Sequence, residues 1–578
     1  MPVTKNYLKV VFASSLFFSF LSTSCIDNTY DLSKDIDLKI HVGGNALAMP
    51  IGNTDYIKLS KIIKADESDV IHLNGGEYSL YKEGTVDPVE IKINSVSPIS
   101  ISPITLPLID FGTAGLAGRA SIIGSVDFAV PTTSSTFELV HRSIPSEVSS
   151  IKKVIFPSAS PVKATIKYAF SGIPSGALIN LNNLKLKFPD YLVSSQLNSS
   201  NELVLNEATS SEFSKDIYIT SFDFSNESGG ASTINNKILD VVKNITISGG
   251  IALSNVDYSQ LKGNVSLATS VQISPATISE IEGIVNPSIS INADPVSFEI
   301  PEFLEDKEVK MDVVNPMINL TVTNSTDIPV IISGLLKGYR DGTELSEVAV
   351  EGTTSNPITI DANAKTVICL SRTGEGGPVG SKNYKIATLN DLIETIPNHI
   401  RFVMNARADQ SASHRIQLGK SYNVGMNYSV EVPFKFGSGL SIVYNDSIDG
   451  FNDDIKDLNV KSLTVTATVE NNIPLELQLN ATAVGINKNA GALPGVSVKI
   501  TGDIKSCAAN GGVQESPITI ELTETTDGAI KNLDGLLLKV TAKSTETVNG
   551  MPLKEDQYIR LKNIKARAAS GMDYDLND

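Results

Sequence analysis

Few side chains in this sequence combine a reactive group with a spacing that chemistry can use. Metal ligation needs several donors at fixed separations, and His41, His72, His141, His399 and His414 show neither an HxH nor an HExxH pattern. His414 follows Ser-Ala-Ser and precedes an alternating stretch, which places it in a solvated loop. Cys369 lies in the apolar run TVICLS and reads as a small core residue, while Cys507 falls in the loop DIKSCAANGG. The two are expected in different domains and so unpaired. No G-x-S-x-G elbow is present, and FGSGLS around Ser438 reads as a turn. GEGGPVG from Gly374 lacks the helix and GK[ST] of a phosphate cradle, so a flexible hairpin loop is expected.

One acidic stretch, NDSIDGFNDDIKD from Asn445 to Asp457, has partial calcium-loop spacing. With Asn445 first, Ser447, Asp449, Gly450 and Asp453 fall at positions three, five, six and nine. Lys456 occupies position twelve, where a bidentate Glu belongs, so a solvated turn between domains is the better reading. Asp446-Ser447-Ile448 also resembles the short acceptor motif for O-linked glycans in Bacteroidetes, which marks Ser447 as a candidate surface modification site. No catalytic residue, cofactor or metal site is assigned.

These sparse groups must be positioned by a chain of 578 residues, long enough for about four domains. It is 41% apolar and 19% charged, too apolar for disorder, and its net charge of -17 repels nucleic acid. The absence of tryptophan disfavours sugar-stacking platforms.

Residues 1–24 have the parts of an export signal: Lys5 and Lys9, an apolar run from Val10 to Leu21, then small polar residues leading to Cys25. The run is too short to span a bilayer. Leu21-Ser22-Thr23-Ser24-Cys25 resembles a loose bacterial lipobox, which implies a lipidated Cys25 and attachment to a membrane through its acyl chains. Residues 25–40 then form an acidic tether with Asp27, Asp31, Asp35 and Asp37, and acids at this place resemble surface-export signals of Bacteroidetes lipoproteins.

Beyond the tether, β-branched stretches with period-two alternation are separated by Gly, Asn, Asp, Ser and Pro clusters, as in PVEIKINSV, SLTVTATVE and GVSVKITGDI. This pattern predicts an all-β chain of tandem β-sandwiches. The best helical signal is LNDLIETI from Leu389, ended by Pro397; ILDVVKNI from Ile238 fits either a helical turn or a strand. An internal echo sets the units. INLTVTNSTDIPV from Ile318 matches LTVTATVENNIPL from Leu463, aligning Ile328-Pro329 with Ile473-Pro474, and ATIKYAFSGIPSG from Ala164 is a weaker third copy. The expected domains are 41–154, 155–300, 301–445 and 446–578. Prolines in SVSPISISPITLPLI argue against a long strand there.

The lipobox, DLSKDIDLKIHVGG, MPIGNTDYIKLSKII, YNDSIDGFNDDIKDL and the closing IRLKNIKARAASGMDYDLND together resemble large, mostly uncharacterised lipoproteins of Bacteroidetes. The resemblance implies tandem immunoglobulin-like domains at the outer membrane or cell surface, and it supplies no catalytic residue. Two function classes follow. One is a non-enzymatic structural spacer, adhesion or partner-binding module, its ligand a protein or a glycan; the alternative is a surface glycan-binding protein of a polysaccharide-uptake system.

Overall fold

The computed structural model describes residues 39–575 apart from 43–47, 66–69, 93, 114, 116–117, 143, 228–231, 235–236, 288, 293–294, 298, 453–457, 487–490 and 569–570. The expected signal segment, Cys25 and nearly all of the tether lie outside the described residues. Within them the chain is almost entirely antiparallel β structure. None of the described helices is long and apolar enough to cross a membrane.

Along the chain, β1 (Lys39–Val42) and β2 (Ala48–Gly52) come first, then β3 (Glu77–Lys92), then β4 (Ile104–Thr105) and β5 (Ile109–Gly112). An inner unit follows, formed by β6 (Ile123–His141), β7 (Val148–Ile155), β8 (Val162–Ser171), β9 (Leu178–Lys187), β10 (Glu212–Ile219), β11 (Leu239–Asp257), β12 (Val265–Ile273) and β13 (Glu280–Val285). The middle unit contains β14 (Met317–Asn324), β15 (Val330–Arg340), β16 (Ala364–Ser371), β17 (His399–Ala408), β18 (His414–Gln417) and β19 (Ser421–Pro433). The outer unit contains β20 (Ser441–Asp449), β21 (Ser462–Asn471), β22 (Glu476–Gly485), β23 (Gln514–Glu524), β24 (Leu533–Lys543), β25 (Tyr558–Arg567) and β26 (Met572–Asp575).

One topology recurs in all three units. The first sheet runs β10-β8-β12 with β4 and β5 on its edge in the inner unit, β16-β14-β19-β3 in the middle unit and β23-β21-β25-β2 in the outer unit. The second sheet pairs β9 with β11, β15 with β17, and β22 with β24. The segments singled out by the internal echo are therefore equivalent strands: β8, β14 and β21 each lead through an Ile-Pro crossover into β9, β15 and β22. Alternation explains the strands. In β8, Val162, Ala164, Ile166, Tyr168 and Phe170 are buried while Lys163, Lys167 and Ala169 are exposed.

The two sheets of a unit face one another across a core. In the middle unit Val86, Val322 and Met426 from one sheet and Ile332 and Met404 from the other line a void of about 10 Å³. Phe402 on β17 meets Tyr428 on β19 with ring centroids 5.5 Å apart. The strand order differs from the expected immunoglobulin arrangement. There the last strand joins the sheet of the third, whereas β12, β19 and β25 lie beside the first repeat strand, between it and the N-terminal edge.

The expected separate domain 41–154 is not a sheet system of its own. Its strands are shared out: β1 and β2 complete the outer unit, β3 the middle unit, and β4 to β7 the inner one. The units are thus nested, with each enclosed between the first strand and the body of the next. The boundaries expected at 155 and 446 fall at the end of β7 and inside β20. Lys310 and Ser441 form a bridge between middle and outer units, and β13 pairs with β18 to join inner and middle units in one sheet.

Two local expectations also change. LNDLIETI gives only a 3-10 turn, Leu389–Leu392, where the buried Asn390 is spent on the irregular segment opposite, donating to Met311 O (3.1 Å) and accepting from Val313 N (2.8 Å). ILDVVKNI lies largely in β11. The proline-rich stretch forms only β4, β5 and an Ile99–Ala276 bridge, while Ile99, Ile101, Ile104, Leu106 and Ile109 fill the core.

Candidate functional site

A cleft of about 470 Å³ opens where the inner and middle units join and is lined by Glu280, Asp327, Asn363, Ser413, His414, Arg415 and Gln417. It exists because β13 and β18 pair, Glu280 opposite Gln417 and Gly283 opposite His414, and so bring two units edge to edge. Its charges are mostly satisfied internally. The Arg415 guanidinium binds the Glu280 carboxylate, and that partner raises the already high Arg415 pKa. Asn363 Nδ2 donates to Asp327 Oδ1 at 2.5 Å.

His414 begins β18 and is half-buried, not a free loop residue; its Nε2 lies 2.9 Å from the backbone oxygen of Asp409. The Asp409 carboxylate, held low by hydrogen bonds from the backbone and side chain of Ser411, accepts from Ser411 N at 2.9 Å. Ser413, His414 and Asp409 therefore do not form a relay, since the aspartate presents its main chain to the imidazole and its side chain elsewhere. The cleft can bind polar groups, but it contains no activated nucleophile among the described residues.

The sequence candidates are scattered. Asn445, Ser447 and Asp449 lie on β20, an edge strand whose Ser447 pairs with Leu537, so they cannot curl around a cation as a loop would. Ser447 is half-buried in this ladder and its amide donates to the Asp446 carboxylate at 2.8 Å. Asn445 Nδ2 instead reaches Asp306 Oδ2 at 2.7 Å, tying the outer unit to the middle one. Residues 453–457 of the acidic stretch lie outside the described residues, and Asn445–Asp449 is part of a strand where an interdomain turn was expected. No group of three or more metal-ligating side chains occurs among the described residues.

Cys369 and Cys507 are free and buried in the middle and outer units, and burial raises both thiol pKa values. The glycine-rich loop after Cys369 is not a hairpin: it returns to a parallel pairing of Lys382–Lys385 with β16. It is also pinned, with Thr373 N donating to Asn315 Oδ1 (3.0 Å) and Ser371 Oγ to Glu375 O (3.0 Å). Gly377 is needed because a Cβ there would stand 2.5 Å from the Cys369 Cβ. Around Ser438 the expected turn is present, its Gly437 and Gly439 amides donating to the backbone and carboxylate oxygens of Asp312 at 2.7 and 2.9 Å. The cleft itself was missed in the sequence because its residues come from four segments spread between Glu280 and Gln417.

No family model and no curated protein matches this chain. Among solved structures, a secreted protein from Parabacteroides distasonis is similar at a TM-score of 0.35 and 16% identity, over 50% of this chain and 82% of that one. The VP2 subviral particle of infectious bursal disease virus aligns over 86% of this chain and 89% of its own at a TM-score of 0.16 and 8% identity. At these values both are likenesses of β architecture and bear on no activity.

Proposed function

We propose that the protein is a non-enzymatic cell-envelope lipoprotein, anchored in the outer membrane through acyl chains on Cys25, that acts as a spacer presenting a partner-binding unit. The observation that carries this reading is the pairing of β1 with β26, which brings the tether to the same unit as the C-terminus. Fourteen residues lead from Cys25 to Lys39, a reach of at most about 50 Å. The outer unit is then nearest the membrane, and the inner unit is reached only through the middle one.

The glycan-binding alternative draws less support. Tyr56 is among the exposed aromatics, but it meets Tyr558 edge-on at 86°, and Arg560 stands 4.8 Å over its ring. Such a pair does not offer a flat platform to a sugar ring.

Metabolic labelling with palmitate tests the anchor: Cys25→Ala is expected to lose the label and leave the membrane fraction. Equal labelling of variant and wild type would sink it. Protease treatment of intact cells then tests the order of units, with cleavage expected in the inner unit before the outer.

A further inference from the structure

Strand β6, with 19 residues, is matched in length only by its neighbour β11 among the described strands, and it is the edge of its sheet. Other edges are guarded by charge, as long edges must be to avoid unplanned pairing. On the edge strand Thr343–Val350, Glu344 and Glu347 both pair with Lys337; on β10, Lys215 and Asp216 hold Glu207 and Lys163. Strand β6 carries only Asp127 and Glu138 over its length. Pro131 interrupts it at a bulge opposite Ile247 and Gly249, and its N-terminal half is flanked by β5, where Phe111 and Phe128 rings are 5.2 Å apart. From Thr132 to Val140, no hydrogen bond joins its outer edge to another element among the described residues.

We propose that this edge is a self-association site, where β6 of a second copy pairs antiparallel with β6 about a two-fold axis. Two observations select a second copy as the occupant. The chain carries a net charge of -17, so most of its surface repels another copy, and this edge bears one charge in its usable half. The segment is also self-complementary. Centring the axis on Thr136 leaves Pro131 outside the ladder, sets Thr136 against itself, and places Ser134 opposite Glu138 twice. Thr132, Ser134, Thr136 and Glu138 are all exposed on one face, so each serine hydroxyl can donate to a carboxylate of the other chain. Phe137 and Leu139, both fully buried, stay on the core face.

The direction of the strand gives the pairing its geometry. Beyond β6, Val148 pairs with Val285, and Asn286 N donates to Glu147 O (2.6 Å) where the chain departs for the middle unit. The C-terminal end of β6 thus faces the middle unit, and its start points away. Antiparallel pairing reverses the second copy, so the two outer units leave at opposite ends. Such a dimer suits two copies held on different surfaces better than two on one membrane. This last step rests on the anchoring proposed above; the pairing itself does not.

Sedimentation of the full chain carrying Cys25→Ala, which removes the anchor from the measurement, tests the pairing. A concentration-dependent dimer is expected. Ser134→Glu should weaken it about tenfold by setting like charges opposite each other twice, and adding Glu138→Lys should restore it. Thr136→Cys should form an interchain disulfide on oxidation, because antiparallel Cα positions fall within disulfide reach, and Ser125→Cys should not. A chain that stays monomeric to its solubility limit overturns the pairing and leaves the anchor standing. A dimer indifferent to Ser134→Glu, or uncrosslinked by Thr136→Cys, overturns it as well.

Discussion

The middle and outer units hold the crossover between their sheets with a buried asparagine; the inner unit makes the same crossover with a glycine. Asn324, which ends β14, donates to Ile328 O (2.9 Å) and Asp361 O (3.1 Å) and accepts from Thr326 N (3.0 Å). Asn471, which ends β21, donates to Leu475 O and Lys505 O, each at 2.9 Å, and accepts from Ile473 N at 2.8 Å. In both cases one amide satisfies the carbonyls that a chain leaves behind when it quits one sheet for another. The inner unit has Ser171 and Gly172 there. Gly172 sits at φ +74°, and a Cβ would stand 2.1 Å from Asn264 O. The same turn of the fold is thus met once by backbone approach and twice by side-chain bonding.

Substitution separates these two solutions. The largest effect is expected at Asn324→Ala and Asn471→Ala, about 3–4 kcal/mol each, because each leaves several buried main-chain groups unpaired. Hydrogen exchange should report the loss in the altered unit alone. Gly172→Ala should cost the inner unit about 2–3 kcal/mol through strain and the displaced Asn264 backbone. Exchange that leaves the inner unit unchanged would show that the turn relaxes freely.

A third, smaller difference is set by pH. His141 at the end of β6 is 6% exposed, its Nε2 has no hydrogen-bond partner among the described residues, and burial lowers its pKa. The unfolded chain takes up a proton near pH 6.5 and the folded one resists it. The stability of the inner unit should therefore be level above that pH and decline as pH falls below it. His141→Phe should flatten the decline, as read from unfolding midpoints between pH 7 and pH 5. The smallest effects belong to the surface lysines Lys337, paired with Glu344 and Glu347, and Lys562, paired with Glu470 and Glu515. Either lysine changed to Met should leave both units nearly as stable as before, with any difference removed by salt.

Much of this was legible in the sequence because it is local. Alternation found the strands, and the echo found β8, β14 and β21. Its register was off by two. Matching Ile328-Pro329 to Ile473-Pro474 aligns Ile318 with Leu463, whereas the two asparagines align Asn324 with Asn471, Ile328 with Leu475 and Ile318 with Val465. A slip of two keeps every side chain on its face: Ile318 is buried, and Leu463 and Val465 are half-buried against the core. The nesting was illegible for the opposite reason. Arg560 Nε donates to Thr54 O across 506 residues, and no local pattern marks such partners. The junction cleft was hidden likewise, since Glu280 and Arg415 meet only after two units have formed.

The nesting also fixes an order in which the units can be completed as the chain is made. The inner unit has all its strands once residue 285 has emerged, the middle unit must wait for β19, and the outer unit closes only when β25 arrives. Until then β2, made among the first fifty or so residues, has no neighbour to bond. The strands therefore become available for the inner unit first and for the outer unit last, so the N-terminal strand β2 is among the last to be paired. A product cut short before β25 would keep two finished units beside an unfinished third, with β2 left as an open strand.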